Sequence, residues 1–274
     1  MQPVVAELTY YPIKGCAGVP TSSTRLEPTG LAHDRRFMVG GADDGRLISQ
    51  RTHSAMATIR PSVRHDGAKL ALSAPGIEDL VVEVVTDGRR QEVSVFAWQG
   101  VAVDQGEDAA AWFSEVLDDD VRLFGPPPGF ERRAPGEQPG ELYFADGYPV
   151  FVTSESSLDA LNARIIERDA APVPMNRFRT NILVRGWPEP HTEDRPGTLT
   201  IGETEVAFAK VCKRCTVPLV DQDTGRRAGP EPIRTLADYR RIPDGGVTFG
   251  SNYVVLSPGT ITIGDPVRHT PEPR

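Results

Sequence analysis

Two cysteines separated by two cations are the residues of this sequence best suited to chemistry. They are Cys212 and Cys215, in the segment "AKVCKRCTVPLVDQDTG", with Lys213 and Arg214 between them. A cysteine acts as a nucleophile or a metal ligand in its thiolate form, and neighbouring positive charges favour that form. The spacing alone leaves open a disulfide, a zinc site, a redox dithiol, a pair of structural thiols, or one thiolate offered to a metal.

The cysteine and histidine content narrows these interpretations. The 274 residues include three cysteines, an odd number that does not make a disulfide framework. A structural zinc needs four ligands, and Cys16 and five scattered histidines form no second cluster. The segment "TVPLVD" after Cys215 favours a strand or loop, whereas a thioredoxin-like site begins a helix. Because one thiolate is sufficient when a cofactor supplies the other ligands, the pattern favours a metal that arrives already chelated.

The overall composition is that of an ordinary soluble protein, with 39% hydrophobic and 25% charged residues. The net charge of −8 argues against general nucleic-acid binding, yet it permits a local basic pocket for one anionic ligand. The sequence contains no dinucleotide fingerprint and no P-loop. The N-terminal segment "MQPVVAELTYYPIKG" lacks the features of a secretory signal, and no window is apolar enough to span a membrane. We therefore predict a cytoplasmic protein with no membrane partner and with reduced cysteines.

Turn signals divide the first hundred residues into short β-rich segments. Asp44-Gly45, Asp66-Gly67 and Asp87-Gly88 each lie between extended segments. Asp-Gly pairs favour hairpins because both residues tolerate positive φ. Three hairpins at nearly even intervals predict a meander or a small barrel.

Two segments have the periodicity of amphipathic helices. The first is "EDAAAWFSEVLDD", and the second is "SESSLDALNARIIER", which follows a predicted strand "YPVFVT" and has Ser154 as its expected N-cap. The residues expected on their buried faces are Trp112, Phe113, Val116 and Leu117 in the first helix, and Leu158, Leu161 and Ile165 in the second. Most of the remaining segments after residue 168 are predicted strands.

The segments "PGTLTIGE" and "PGTITIGD", which begin at Pro196 and Pro258, resemble each other. The similarity ends within ten residues, so a duplicated domain is not indicated. We predict two similar barrel hairpins, with Gly202 and Gly264 in the turns.

A segment rich in Pro and Gly separates two parts of the chain. Residues 125–141, "GPPPGFERRAPGEQPGE", cannot form a regular element. We interpret them as a connection between a first domain, residues 1–124, and a second domain, residues 142–274.

Five motifs occur in order along the chain: "YPIKGC", "GLAHDRRFMV", "NRFRTNILV", "CKRCTVPLVDQDTG" and "SPGTITIGDPV". Together they resemble one protein family, in which an N-terminal MOSC β-barrel precedes a MOSC domain, as in the mitochondrial amidoxime-reducing component and its bacterial relatives. The resemblance covers nearly the whole chain and implies an α+β, mainly β fold, with an N-terminal β-barrel-like domain packed on a MOSC β-barrel domain that has a few helices.

The resemblance implies a molybdenum cofactor, a pyranopterin with a dithiolene and a phosphate. It makes Cys215 the molybdenum ligand and the catalytic residue, with Cys212 as a neighbour. At Gly15 the mitochondrial members have a serine, so backbone or water must replace one hydroxyl contact. The cofactor-binding positions that the resemblance implies are Lys14, Gly15, Arg35, Thr153, Ser154, Arg179, Lys213, Arg214 and Asn252.

The resemblance also implies the reaction, which is the two-electron reduction of small N-hydroxylated compounds such as amidoximes. The electrons are expected from a separate flavin reductase, ferredoxin or cytochrome. Two alternatives stay open from the residues: a carrier of the cofactor or of sulfur without turnover, and a dithiol oxidoreductase that uses Cys212 and Cys215.

Overall fold

The computed structural model describes residues 2–136, 138 and 140–272, and the fold is mainly β, as predicted. Three α-helices accompany the strands in these residues: α1 (Glu107–Leu117), α2 (Glu155–Ile166) and α3 (Ile233–Tyr239). The strands, in chain order, are β1 (Val4–Tyr10), β2 (Val19–Thr21), β3 (Ser23–Glu27), β4 (Gly30–Leu31), β5 (Met38–Gly41), β6 (Arg60–Arg64), β7 (Lys69–Ala74), β8 (Ile77–Glu83), β9 (Arg90–Val95), β10 (Trp98–Asp104), β11 (Val121–Gly125), β12 (Val150–Ser154), β13 (Ile182–Arg185), β14 (Gly197–Ile201), β15 (Thr204–Arg214), β16 (Val247–Ser257), β17 (Gly259–Thr262) and β18 (Val267–Pro271).

The largest sheet has eight strands in the order β18-β14-β15-β16-β12-β13-β1-β2. The last two strands at one end of this sheet, β1 and β2, come from the N-terminus, and Leu8 of β1 lies opposite Ile182 of β13. A second sheet, β17-β3-β4, joins the two ends of the chain in the same way. Strand pairing therefore crosses the Pro- and Gly-rich segment at 125–141, and the domain limits proposed there stay a prediction.

The middle of the first half forms two smaller sheets, β5-β11-β10-β9 and β6-β7-β8. Asp66-Gly67 connects β6 to its partner β7, which confirms that hairpin, and Asp44-Gly45 turns the chain so that Leu47 bridges Gly40. The prediction of a hairpin at Asp87-Gly88 is wrong, because β8 and β9 belong to different sheets. These two residues connect the sheets instead.

Both predicted helices are present. In α1, Trp112, Phe113 and Leu117 are buried against strands of the first half, and Val116 is half-buried. Helix α2 begins after Ser154, whose hydroxyl accepts a hydrogen bond from the Ser157 backbone at 3.3 Å. Its buried residues include Leu161 and Ile165, whereas Leu158 is partly buried.

The two similar segments have different pairings. Gly202 turns β14 into its neighbour β15, so the first predicted hairpin is confirmed. The second prediction is wrong, because β17 pairs with β3 whereas β18 pairs with β14. Gly264, with φ of 96°, turns the chain from one sheet to another.

The connection at 125–141 follows β11 and is fixed by a buried arginine. Arg132 is 6% exposed, and its guanidinium donates to the carbonyl oxygens of Tyr143 and Ala145 at 2.8 and 2.7 Å. These bonds fix the backbone that leads to Asp146. Within the residues that the structure describes, we find no helix with the length and apolar character needed to cross a membrane.

Candidate functional site

Residues from both halves of the chain line one pocket. It contains about 830 Å³ of empty space, counting the part open to solvent. Five cations and one carboxylate, that of Asp146, line it. Seven of the predicted site residues line the pocket, together with Cys212: Lys14, Gly15, Arg35, Arg179, Arg214, Cys215 and Asn252.

The loop after β1 brings Lys14 and Gly15 to the pocket. The Lys14 backbone N–H donates to the Phe37 carbonyl at 2.8 Å, which fixes the loop against the start of β5. Gly15 has φ of 91°, and a Cβ there would lie 2.8 Å from the terminal methyl of Met56. A residue with a side chain would therefore be strained and crowded at this position. This packing explains why glycine stands where the mitochondrial relatives are expected to have serine.

Arg35 is held by a carboxylate behind the pocket wall. Its guanidinium donates to Asp34 at 2.6 Å and to the Asn181 side chain at 2.9 Å. Asp34 is 2% exposed and also accepts from the Tyr11 backbone at 2.8 Å. Burial alone would lower the pKa of Arg35, but Asp34, together with Tyr11 and Asp146, outweighs it and the pKa is raised. Arg35 is therefore a charge whose partner is already present.

Arg179 has no carboxylate partner among the described residues. It ends a short 3₁₀ helix with φ of 59°, and one guanidinium nitrogen donates to Gln222 at 3.2 Å. Its second terminal nitrogen is buried without a hydrogen-bond partner in the described part of the chain. Burial lowers the pKa of Arg179, and the nearby Arg35 acts in the same direction. A buried cation with an unused donor is costly unless an anion meets it.

One aromatic ring contacts both of these arginines. The guanidinium carbons of Arg35 and Arg179 lie 4.4 and 4.3 Å from the centroid of the Tyr11 ring. Tyr11 is 5% exposed, and its hydroxyl donates to the Thr180 carbonyl at 3.2 Å. Cations are attracted to the face of an aromatic ring, so Tyr11 stabilises two like charges next to each other.

A pair of glutamines ties the two halves together beneath the pocket. Gln50 donates to the Gly15 carbonyl at 2.6 Å and to the Gln222 side chain at 3.1 Å, and Gln222 donates back to Gln50 at 2.9 Å. Gln222 also accepts from Arg179. The position of Arg179 is therefore linked by hydrogen bonds to the loop that carries Lys14.

Lys14 and Asp146 form an ion pair within the pocket. The Asp146 side chain is 64% exposed because it faces the pocket, whereas the Lys14 side chain is 8% exposed. Although Asp146 faces the open pocket, the surrounding protein partly desolvates it, which would raise its pKa, but Lys14 and the arginines Arg35 and Arg51 lower it to about 2. Asp146 is therefore a carboxylate at neutral pH. Its oxygens mark a position where the cations stabilise negative charge.

Strand alternation separates the residues of the Cys-x-x-Cys segment. Cys212 and Arg214 lie two positions apart at the end of β15, and the Arg214 guanidinium contacts the Cys212 sulfur at 3.1 Å. Lys213 points to the other side, where its ammonium donates to the Asp244 carbonyl at 3.4 Å. Cys215 follows the strand, is half-buried and lines the pocket.

All three cysteines are free thiols. Cys16 is fully buried, and burial raises its pKa to about 12 although Arg179 acts in the opposite direction. It is therefore a protonated thiol at neutral pH and does not act as a nucleophile. Cys212 packs partly against the core next to α2. Of the cysteines, Cys212 and Cys215 reach the pocket.

Three predicted cofactor contacts do not line the pocket: Thr153, Ser154 and Lys213. Thr153 and Ser154 are fully buried. The Thr153 hydroxyl lies 3.0 Å from that of Thr180, and the Ser154 hydroxyl donates to Glu193 at 2.8 Å. Both hydroxyls therefore make hydrogen bonds inside the protein, and that of Ser154 also caps α2. Lys213 lies outside because it is on the opposite face of β15.

The pocket also contains residues that sequence reasoning missed. Arg51, Phe96 and Asp146 line it, and Tyr11 and Gln222 support the arginines. None belongs to a local pattern that points to a ligand, because distant loops bring them together. The nearest available signal is that Tyr11 and Gln222 stand inside two of the motifs quoted above.

The sequence comparisons define the class of this protein. Residues 2–120 match the MOSC N-terminal beta barrel domain, and residues 139–268 match the MOSC domain. Together the two matches cover most of the chain. It is therefore a MOSC protein with an N-terminal MOSC β-barrel, which confirms the fold that the motifs implied.

Two animal proteins are similar along nearly the whole chain. "Mitochondrial amidoxime reducing component 2" of Bos taurus is 32% identical, and "Mitochondrial amidoxime-reducing component 1" of Homo sapiens is 30% identical. Each comparison covers 96% of this chain and 82% of the relative. The chain belongs to the family of the mitochondrial amidoxime-reducing components.

A third relative is much longer. "Molybdenum cofactor sulfurase" of Danio rerio is 30% identical over 94% of this chain, which corresponds to 34% of that protein. The chain thus matches about one third of the sulfurase.

Proposed function

We propose that this protein binds a molybdenum cofactor in the pocket and reduces small N-hydroxylated compounds. The family relationship supports this proposal, since the similar mitochondrial proteins are named for amidoxime reduction. In the reaction, an N–OH group becomes N–H, water leaves, and two electrons and two protons are consumed. The chain is accordingly an oxidoreductase.

The observation that carries the proposal is the guanidinium of Arg179, which has one buried terminal nitrogen. It combines positive charge, a donor without a partner in the described residues, and a place on the wall shared with Cys215. A phosphate would satisfy this donor with a charge-assisted hydrogen bond. A cysteine thiolate suits molybdenum as a soft ligand. The pocket therefore fits a group that carries both a phosphate and a metal.

The residues of the pocket divide the binding between them. Cys215 would hold the metal, whereas Lys14, Arg35, Arg179 and Arg214 would neutralise the anionic part of the cofactor. Asn252 of β16 and the backbone of Gly15 supply neutral contacts from the wall. We assign no cofactor contact to the side chains of Thr153, Ser154 and Lys213, because they form hydrogen bonds with other parts of the protein.

The cofactor, when bound, supplies the two-electron redox chemistry, and the chain orients the reactants. Asp146 is already ionised at neutral pH, since its pKa lies at about 2, where Lys14 and the arginines overcome the effect of burial. It therefore cannot donate the protons that the reaction consumes. Solvent at the open mouth of the pocket is their source. We further propose that electrons come from a separate protein, as the resemblance implied.

The decisive experiment compares Cys215→Ser with Cys212→Ser, both made in a host that synthesises the cofactor. We expect Cys215→Ser to lose most of its molybdenum and all turnover, because a hydroxyl is a poor replacement for a thiolate on this metal. Cys212→Ser should keep much of both. Metal and pterin analysis measures retention, and amidoxime reduction with reduced viologen measures turnover without the partner protein.

Two other results would reject the proposal in different ways. Equal losses in the two variants, with a titrating dithiol in a protein free of metal and pterin, would indicate a dithiol oxidoreductase. Stoichiometric molybdenum without viologen-driven turnover would indicate a carrier, an alternative that the match to the sulfurase favours.

A further inference from the structure

The β9–β10 hairpin places an aromatic residue in an unfavourable backbone conformation beside the pocket. Val95 pairs with Trp98, so the turn consists of Phe96 and Ala97. Phe96 has φ of 56°, in the left-handed region that glycine and asparagine adopt readily and bulky residues rarely adopt. Its ring lines the pocket although it is 50% exposed. Strain of this kind at a pocket points to a function of the side chain.

The Phe96 ring lies next to two cations. The guanidinium carbon of Arg51 is 4.7 Å from the ring centroid, and the ammonium of Lys14 is 5.5 Å from it. Both distances are within the range of cation–π attraction. Phe96 therefore contacts both Arg51 and Lys14 at the pocket.

Arg51 has no ion-pair partner among the residues that the structure describes. It is exposed, it lines the pocket, and its guanidinium forms no ion pair with a carboxylate of residues 2–136, 138 or 140–272. The Arg51 charge interacts with Asp146. Desolvation raises the pKa of this carboxyl, whereas Arg51 is one of the cations that lower it. Lys14 binds the same carboxylate directly. Arg51 and Lys14 thus converge on one position where negative charge is stabilised.

We propose that Arg51 is a further phosphate-binding residue of the pocket and that Phe96 is the positioning residue that orients it. The planar fork of an arginine can donate two hydrogen bonds to a phosphate, and a ring at its face restricts the side chain before the ligand arrives. The inference rests on the proposed function, because the phosphate is that of the molybdenum cofactor.

The test measures how fast the pterin leaves the holoprotein. After desalting, the released pterin is oxidised and quantified by its fluorescence at low and high salt. Arg51→Ala should accelerate release about tenfold at low salt, which corresponds to about 1.4 kcal/mol, and the difference should shrink at high salt because salt screens exposed charges. Arg60→Ala, an exposed arginine on β6 that does not line the pocket, is the matched control and should match the wild type.

Phe96→Gly tests the positioning role. Glycine tolerates the positive φ, so we expect this variant to have a higher Tm and yet to release the pterin faster than the wild type. If Phe96 acts through Arg51, the double variant Arg51→Ala/Phe96→Gly should release the pterin no faster than Arg51→Ala alone. Phe96→Leu should behave like Phe96→Gly in release, without the gain in Tm.

Each contrary result has its own meaning. A wild-type protein without pterin would overturn the proposed function and this assignment with it. A wild-type protein that holds pterin, with release unchanged by Arg51→Ala, would overturn the assignment of Arg51 alone. Additive effects in the double variant would show that Phe96 acts on pterin release independently of Arg51 and would overturn its positioning role.

Discussion

Removal of the Tyr11 ring should destabilise the protein even without its cofactor. The ring lies against two partly buried guanidiniums, those of Arg35 and Arg179, at 4.4 and 4.3 Å, and its hydroxyl makes one hydrogen bond to the Thr180 carbonyl. Tyr11→Phe removes only the hydroxyl, whereas Tyr11→Leu removes the aromatic faces as well. The two variants therefore separate the contribution of the ring from that of the hydrogen bond.

The expected magnitudes follow from these contacts. Loss of the hydrogen bond should reduce the free energy of unfolding by about 1 kcal/mol in Tyr11→Phe. A desolvated cation–π contact contributes about 1 to 2 kcal/mol, so the loss of two contacts should cost Tyr11→Leu a further ~2–4 kcal/mol. The repulsion between Arg35 and Arg179 is then no longer offset, and the pocket should also retain less cofactor.

Urea unfolding of the metal-free protein, followed by tryptophan fluorescence, measures both variants. The midpoints are comparable if the dependence of the free energy on urea is the same as in the wild type. A Tyr11→Leu variant within ~0.5 kcal/mol of Tyr11→Phe would refute the reasoning, because the ring faces would then contribute nothing measurable to holding the two arginines.

Three other predictions concern charge and protonation. The double variant Lys14→Ala/Arg179→Ala should lose the cofactor in a salt-dependent way, at about 1.5–3 kcal/mol for each charged contact, and full pterin content at high salt would place the phosphate elsewhere. Native protein treated with iodoacetamide should not be modified at Cys16, whose pKa burial raises to about 12, and mass spectrometry that finds it labelled as fast as in urea would contradict this. Burial, assisted by nearby arginines, lowers the pKa of His191 to about 4, so below about 6.5 the unfolded chain binds a proton that the folded chain does not, and stability falls as the pH drops from about 6.5 towards 4. His191→Phe should have a flatter pH dependence of its urea midpoint in that window, and an unchanged dependence would contradict the assignment.

Local sequence signals predicted those elements whose causes are local. Ser154 caps α2 as expected, because its hydroxyl accepts from a backbone N–H of the first turn. Asp66-Gly67 forms its hairpin for a similar reason, since both residues adopt positive φ there. Each of these outcomes depends on a few neighbouring residues and not on the rest of the fold.

Strand pairing could not be predicted in the same way. Asp87-Gly88 has the composition of a hairpin turn but joins two sheets, whereas the hairpin that follows turns at Phe96 and Ala97, a pair without any turn signal. Packing of β9 and β10 in the sheet overrides the local preference of Phe96. The sequence pattern is thus least informative where the tertiary structure imposes an unfavourable conformation.

Among the site residues too, those in contiguous motifs could be predicted from the sequence, whereas those placed by tertiary packing could not. Lys14, Arg35 and Cys215 belong to contiguous motifs, and the structure brings all three to one pocket. Lys213 belongs to the same motif as Cys215 and lies outside the pocket, because a strand turns neighbouring side chains to opposite faces. Arg51 carries no motif, and only the packing of distant loops places it at the pocket.

The pairing of β1 with β13 has a consequence for how the chain is made. Leu8 and Ile182 are neighbours in the sheet, yet roughly 10 to 35 seconds of synthesis separate them at the usual 5–20 residues per second. During that interval β1 emerges from the ribosome without its partner and exposes an unpaired edge. A fragment that begins at residue 142 would lack β1 and leave the edge of β13 open. The two MOSC regions are therefore expected to complete folding only after nearly the whole chain has emerged from the ribosome. Arrest of the nascent chain before residue 182 should leave β1 accessible to proteases.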